Sequence, residues 1–355
     1  MGERLDRTQE VSGSNPLCST TVPGGFESVP CPLCGSRPRS VVIRAADRLA
    51  PPSHAAARGA EPGRLYTVVR CVHCGLAFTD PRPTATAMDA FYPDAYHGVD
   101  TQSVGAALEA WYRRRQHREA VRWLCRRRPH RGLLLDVGCG GGDLLCALRD
   151  AGWDVRGIEP GPAGVAAARR RGLAVEPGRF DVAAADGGTG GGHERYEVIV
   201  FSGVLEHLHD PLAALRRARG LLAPGGLVAV LHVPLFDSPE ARAFGARWLA
   251  LDLPRHLTHF ERATVPALAA AAGLGIESTE EYSRRHSAAT LVSSLAPSLQ
   301  KHRFYLDEGR RPAAAQAARK VAWLAAVTAA RVPARLCASA GCGDHRSYFL
   351  APRAG

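Results

Sequence analysis

The chain of 355 residues lacks several things, and each absence excludes a class of protein. No apolar run reaches the roughly 18 residues that a membrane span needs. The longest candidate, Val321 to Val332, is short and is interrupted by Arg331. The start, Met1-Gly2-Glu3-Arg4-Leu5-Asp6-Arg7, carries no apolar stretch of the secretory kind, so a cytoplasmic protein without a transmembrane segment is expected. Lysine is nearly missing, with only Lys301 and Lys320, so the formal charge of +11 is carried almost wholly by arginine. Beside abundant alanine, that bias reflects GC-rich coding more than a nucleic-acid surface. The densest runs, Arg113–Arg115 and Arg126–Arg128, fall in one expected helix over 104–128, where a solvated face accounts for them. The basic residues are not interleaved with aromatics, which disfavours nucleic acid as a partner. An acidic or phosphorylated substrate is compatible with the charge.

What is present centres on Leu133-Leu134-Leu135-Asp136-Val137-Gly138-Cys139-Gly140-Gly141-Gly142-Asp143. An apolar run ends in a glycine-rich turn, and Leu144, Leu145, Ala147 and Leu148 follow at helical spacing. A strand thus delivers a bare loop to a helix N-terminus, whose free N–H groups favour an anionic cofactor. The spacing is not that of a nicotinamide fingerprint, because Asp143 stands where its last glycine belongs, and no Gly-Lys-Ser/Thr phosphate loop is present. A second strand, Asp154–Glu159, ends in an acid placed to accept both ribose hydroxyls of a nucleoside.

Strands are expected at 133–137, 154–159, 173–177, 197–202, 227–233 and 275–282, and helices at 143–151, 162–171, 211–222 and 264–273. The unbroken apolar run at 228–231 belongs to a parallel sheet buried on both faces. Tyr348-Phe349-Leu350 supplies a seventh strand. The fold class is therefore α/β, a Rossmann-like seven-stranded sheet. Residues 1–28 read as a disordered tail, 29–82 as a zinc ribbon and 83–130 as a helical linker and substrate lid. Residues 131–283 read as the cofactor-binding core with an insertion at 235–262, and 284–355 as a helical addition with the last strand. The segment 284–343 is open to a membrane-surface or homodimer contact.

The ribbon rests on Cys31-Pro32-Leu33-Cys34-Gly35 and Cys71-Val72-His73-Cys74-Gly75. Each turn aims two sulfurs at one ion, and two such pairs in a reducing compartment favour zinc over disulfides. With Cys31, Cys34, Cys71 and Cys74 filling all four positions, the zinc is structural. His73 and the remaining cysteines, Cys18, Cys125, Cys139, Cys146, Cys337 and Cys342, read as bystanders.

The Asp136-x-Gly138-x-Gly140-x-Gly142 pattern with Glu159 resembles the class I S-adenosylmethionine-dependent methyltransferases. The knuckles, the Leu76-x-Phe78-x-Asp80-Pro81-Arg82-Pro83 run and Phe91-Tyr92 with Tyr96 resemble a bacterial subgroup carrying an N-terminal zinc ribbon. The resemblance implies S-adenosylmethionine as cofactor, held by Asp136, Gly138, Cys139, Gly140, Gly142, Glu159, Pro160, Arg179, Phe180 and Ser202. The acid contacting the adenine is sought at Asp181 or Asp186. The run Leu205-Glu206-His207-Leu208-His209-Asp210-Pro211 resembles the family segment over the transferred methyl. His207 is the expected general base, or else a hydrogen-bonding residue that shapes the loop; Glu206 orients it or caps a turn, and His209 faces solvent. Pro254-Arg255-His256-Leu257-Thr258-His259-Phe260 extends the resemblance. Arg255 there would clamp a carboxylate or phosphate, and His256 and His259 would reach one substrate; a salt-bridged lid base is the structural alternative. Tyr92 and Tyr96 would form an aromatic lid, and Trp248 either core or pocket wall. The acceptor class implied is a small molecule, sugar or natural product. An RNA methyltransferase and a non-catalytic module of the same fold are the alternatives.

Overall fold

The computed structural model describes residues 20–22, 25–48, 63–92, 106–180, 195–299 and 313–353. A seven-stranded sheet runs in the order β13-β14-β11-β10-β7-β8-β9. Its members are β7 (Leu133–Val137), β8 (Asp154–Glu159), β9 (Val175–Pro177), β10 (Tyr196–Ser202), β11 (Leu222–Pro234), β13 (Leu274–Glu280) and β14 (His345–Pro352). The five strands from β11 to β9 pair in parallel. β14 inserts antiparallel between β11 and β13.

The apolar runs are explained by two-sided burial. Leu134, Val198, Val200, Ala229 and Leu231 face the helices Ala106–Arg127, Asp143–Asp150 and Pro162–Arg170 through Leu124, Leu145, Leu148 and Val165. Their neighbours Leu135, Val137, Ile199, Phe201, Val228 and Val230 face the helices Pro211–Leu221 and Thr264–Ala271 through Leu215 and Leu268. The chain winds from β7 out to β9, then returns to the other side of β7 as β10. Strand order reverses between β7 and β10, and open α/β sheets form their ligand crevice at such a point.

The N-terminal region is less separate than its sequence suggests. β3 (Arg39–Ala46), β4 (Leu65–Cys71) and β5 (Ala77–Thr79) form an antiparallel sheet whose fourth strand is β12 (Thr258–His259), from the insertion. Val29, Cys31, Val69, Leu76 and Phe78 share a core with Phe260 and the large sheet. A third sheet joins β1 (Thr20–Val22), β2 (Phe26–Ser28) and β6 (Arg82–Pro83), so the expected tail is ordered at 20–22 and 25–28, and its remainder lies outside the described residues.

The C-terminal addition, expected to be helical over 284–343, carries the helices Ser287–Leu295 and Ala313–Ser339 among the described residues. By length and composition alone, Ala314–Ser339 is long and apolar enough to cross a membrane. Trp323 and Val327 instead pack on Ala288 and Val292 of the helix Ser287–Leu295.

Candidate active site

A cavity of about 640 Å³ opens at the carboxyl ends of β7, β8, β10 and β11. Its first wall is the glycine loop. Gly138 adopts φ +70°, and a Cβ there would sit 2.8 Å from Val204 Cγ2, so the loops after β7 and β10 approach as closely as glycine allows. Gly142 does not line the cavity; at φ +81° it precedes the helix Asp143–Asp150, and a Cβ would meet Leu173 Cδ1 at 2.2 Å. Its role is to let helix and sheet close together.

Glu159, at the end of β8, is 4% exposed. Its two carboxylate oxygens accept the N–H groups of Gly140 at 2.8 Å and Gly161 at 2.7 Å, which fixes the carboxylate in the cavity wall and pins the glycine loop. Asp136 is buried beside it, with Oδ1 lacking a partner among the described residues. Burial, then the Glu159 charge, pushes the Asp136 carboxyl up to about 8. An orphaned buried acid lining an open cavity fits a ligand that brings a cation or a donor. Cys139, Gly140, Pro160, Arg179, Phe180 and Ser202 also line the cavity, and Ser202 Oγ is a second orphan. The expected cofactor set thus lies along one wall, Gly142 excepted. Asp181 and Asp186 lie outside the described residues.

The opposite wall is the turn after β10, Leu205–His207, anchored by fully buried Leu205 and by the Leu257 N–H bonded to the Glu206 carbonyl at 2.8 Å. His207 Nδ1 donates to the Arg255 carbonyl at 3.1 Å and lies 3.0 Å from Tyr92 Oη. That selects the tautomer whose Nε2 carries the lone pair. Burial, then the neighbouring His256, lowers His207 to about 3, so the ring is neutral at pH 7. The two rings stand with centroids 4.5 Å apart, and His256 Nδ1 donates to the Ala250 carbonyl at 2.8 Å. Glu206 Oε2 has no partner among the described residues, and burial pushes this carboxyl up to about 8. One ligand atom from each of Glu206, His207 and His256 lies within 4.8 Å of the others, an arrangement able to pass a proton or hold a cation.

Several expectations fail on packing. Arg255 is 1% exposed and does not line the cavity. Its guanidinium binds Asp47 at 2.6 Å, Asp252 at 2.8 Å and the Phe91 carbonyl at 3.1 Å, so it fastens the insertion to β3 and is spent before any substrate arrives. His259 Nε2 meets Thr79 Oγ1 at 3.0 Å and neither residue lines the cavity, so His256 reaches it and His259 does not. His209 is buried, with Nδ1 2.8 Å from Arg179 Nη2 and Nε2 3.1 Å from the Pro83 carbonyl, where solvent exposure was expected. Trp248 is core, packed beside Phe236. Tyr92 lines the cavity; Tyr96 lies outside the described residues.

The four cysteines converge. Cys31 Sγ lies 3.4 Å from Cys74 Sγ, and Cys34 Sγ lies 3.6 Å from Cys71 Sγ. Disulfide sulfurs stand about 2.05 Å apart. Four thiolates around one tetrahedral zinc, at about 2.3 Å each, stand near 3.8 Å apart, so the donor set fits that ion. The N–H groups of Gly35 and Gly75 close each knuckle onto the carbonyls of Cys31 and Cys71 at 2.9 and 3.0 Å.

Sequence reasoning missed one wall altogether. His117, His232, Arg285, His286, Thr290 and His345 also line the cavity. They come from four distant segments, and no local motif marks them.

Residues 110–279 match the family model described as a methyltransferase domain. A ubiquinone biosynthesis O-methyltransferase of Cereibacter sphaeroides is 37% identical over 136 residues, covering 36% of this chain and 52% of that protein. One of Pseudomonas paraeruginosa is 31% identical over 168 residues, covering 41% and 65%. The chain thus spans about half the length of the first of these curated relatives. Among solved structures, the CcbJ methyltransferase of Streptomyces caelestis is 16% identical, with a TM-score of 0.42, covering 67% of this chain and 90% of that one. The family match falls on the strands and loops that build the cavity, and residues 110–279 are similar to the methyltransferase domains of that family.

Proposed function

We propose that the chain methylates a hydroxyl of a small-molecule acceptor, a sugar or natural product, in the cavity between Glu159 and His207. The observation that carries this reading is their juxtaposition: a pinned carboxylate and an orphaned acid on one wall, and an imidazole with a free lone pair on the other. The oxygen acceptor follows from the curated relatives, named O-methyltransferases. When bound, S-adenosylmethionine supplies an electrophilic methyl on its sulfonium. Glu159 would hold the ribose hydroxyls through its remaining lone pairs, and Asp136 would receive the cationic amino-acid end. Arg179 and Phe180 flank the base. His207 Nε2 would take the hydroxyl proton as the oxygen–carbon bond forms and the methyl–sulfur bond breaks, with S-adenosylhomocysteine as the leaving group, and the Arg255 carbonyl and Tyr92 would steady the Nδ1–H as charge grows on the ring. His256 and Glu206 orient the hydroxyl. Cys31, Cys34, Cys71 and Cys74 hold one structural zinc that sets the ribbon against β12.

The deciding experiment is transfer of labelled methyl from S-adenosylmethionine into a size-fractionated host extract. Label in the small-molecule fraction supports the reading; label in RNA, removed by RNase, overturns it. Glu159→Ala removes the ribose contact and releases two backbone N–H groups, so S-adenosylhomocysteine affinity falls roughly 100-fold by calorimetry. Unchanged affinity refutes the ribose assignment. His207→Ala lowers turnover by roughly 100-fold or more while cofactor affinity holds; wild-type turnover removes it as base. Cys71→Ser takes zinc from about one per chain to near none by elemental analysis, because three thiolates leave the tetrahedron open. Full zinc retention would sink the ribbon assignment.

A further inference from the structure

The turn after β10 and the insertion bring together three donors that the ribbon does not use. We propose that Glu206, His207 and His256 form a second metal site, facing the cavity, that takes one divalent cation of the zinc class. The site goes beyond the methyl-transfer reading and stands without it. Only its consequence for His207 as base rests on that reading.

Each imidazole is held so that one nitrogen is left for an ion. A carbonyl oxygen only accepts, so two contacts fix the proton on Nδ1. They are His256 Nδ1 to the Ala250 carbonyl at 2.8 Å and His207 Nδ1 to the Arg255 carbonyl at 3.1 Å. Nε2 then carries the lone pair in both rings. Ligating histidines are oriented in this way, through a carbonyl on the far nitrogen. The two rings stand edge to face, with centroids 4.5 Å apart. Glu206 is 3% exposed, and its Oε2 has no hydrogen-bond partner among the described residues. All three residues line the cavity. A buried carboxyl oxygen without a donor is a cost that a bound cation removes. The backbone joins the two segments at this point: the Leu257 N–H donates to the Glu206 carbonyl at 2.8 Å, and Thr79 Oγ1 donates to the His256 carbonyl at 2.8 Å.

One ligand atom from each residue lies within 4.8 Å of the other two. Around one tetrahedral ion, with bonds of about 2.0–2.2 Å, such atoms stand about 3.4 Å apart. Rotation of the Glu206 side chain supplies the closure. Two imidazoles and one carboxylate are the ligand set of open zinc centres, which leave a fourth position free. Here that position opens on the cavity, whereas the four thiolates of the ribbon close theirs. Magnesium and calcium are disfavoured, because they take oxygen donors. The guanidinium of Arg255 is held by Asp47 at 2.6 Å and Asp252 at 2.8 Å, so its charge is met before an ion arrives. On the methyl-transfer reading, an ion on His207 Nε2 takes the lone pair that would receive the hydroxyl proton. Cation and acceptor then compete, and the second zinc inhibits transfer.

Three ligands hold an ion less tightly than four thiolates, so dialysis of the whole chain against a weak chelator leaves zinc on the ribbon alone. Zinc is then titrated back and followed by calorimetry. Wild type is expected to take up one further equivalent. His256→Ala and Glu206→Gln each weaken it by roughly tenfold or more, since even a residue that only supports a ligand is worth that much. The ribbon zinc and S-adenosylhomocysteine affinity hold in both variants, which shows them folded. The two positions lie on different segments, so if one variant fails to fold the other decides. Cobalt reports the donors: at the cysteines it gives intense sulfur-to-metal charge-transfer absorption, and in the cavity only the weak visible bands of nitrogen and oxygen ligands. No second equivalent, one retained by both variants, or one with added sulfur charge transfer overturns the proposal. Labelled transfer into the small-molecule fraction falls as the second equivalent binds; stimulation instead supports the site and strikes His207 as base. Failure of wild type to bind S-adenosylhomocysteine strikes the methyl-transfer reading, and the zinc titration still decides the site.

Discussion

Arg255→Ala is expected to destabilise the protein by about 3–5 kcal/mol, the range for removing one partner of a buried ion pair. Arg255 side-chain exposure is 1%, and its partners Asp47 and Asp252 are 8% and 15% exposed. Without the guanidinium, two carboxylates are left in a medium that solvates them poorly. Asp252 is held well below the usual carboxylate range, against its own burial, by the Arg255 charge first and His256 next. Asp47 lies just beyond β3 and Asp252 in the insertion, so the same group ties the N-terminal sheet to the loop carrying His256. The melting temperature is expected to fall by roughly 10 °C. Arg255→Ala/Asp47→Asn should recover part of the loss, since the second change removes one stranded charge. A shift under about 1 kcal/mol in the single variant would show the pair to be worth no more than a surface contact.

That arginine also shows where sequence reading fails. In Pro254–Phe260, cationic and imidazole groups crowd into seven positions, which looks like an active site. Only His256 reaches the cavity; Arg255 and His259 bind Asp47, Asp252 and Thr79, partners that only the folded chain brings near. His209 misled in the opposite sense, because its partners Arg179 and Pro83 are remote in sequence. By contrast, the strand–loop–helix at 133–150 was legible residue by residue, because buried parallel strands must be apolar throughout and the turn must be glycine. Tyr348-Phe349-Leu350 was legible as the seventh strand because it too is buried on both faces, although it pairs antiparallel. The pairing of Thr258–His259 with β5 was not, because two residues carry no periodicity. Nor was the histidine wall, whose members run from His117 to His345 and share no spacing.

The stability of the cofactor-free protein is expected to peak near pH 6.5 and to fall on both sides. His207 and His256 are lowered to about 3 and about 4, His259 to about 3, and His232 and His286 well below 6.5, all by burial first. As pH drops below 6.5 these imidazoles take up protons in the unfolded chain but not in the folded one, so unfolding is drawn forward. Each contributes at most about 1.4 kcal/mol per pH unit. Asp136 and Glu206, raised to about 8, and Glu240, raised to about 9, act in the opposite sense: folded they keep a proton that the unfolded chain loses above its carboxylate range. Their stabilisation is full below that range and is lost as pH rises towards 8 and 9. Between about pH 4.5 and 6.5 both sets act, and the five histidines outnumber the three carboxyls, so stability rises with pH. Above 6.5 only the carboxyls remain, and it declines. Denaturant midpoints from pH 5 to 9 would trace the dome. A curve rising monotonically to pH 9 would mean that Asp136 and Glu206 are ionised in the folded protein. Under the proposed placement of its ammonium against Asp136, S-adenosylhomocysteine should flatten the alkaline arm and steepen the acid arm, because Asp136 then no longer opposes the histidines between pH 4.5 and 6.5.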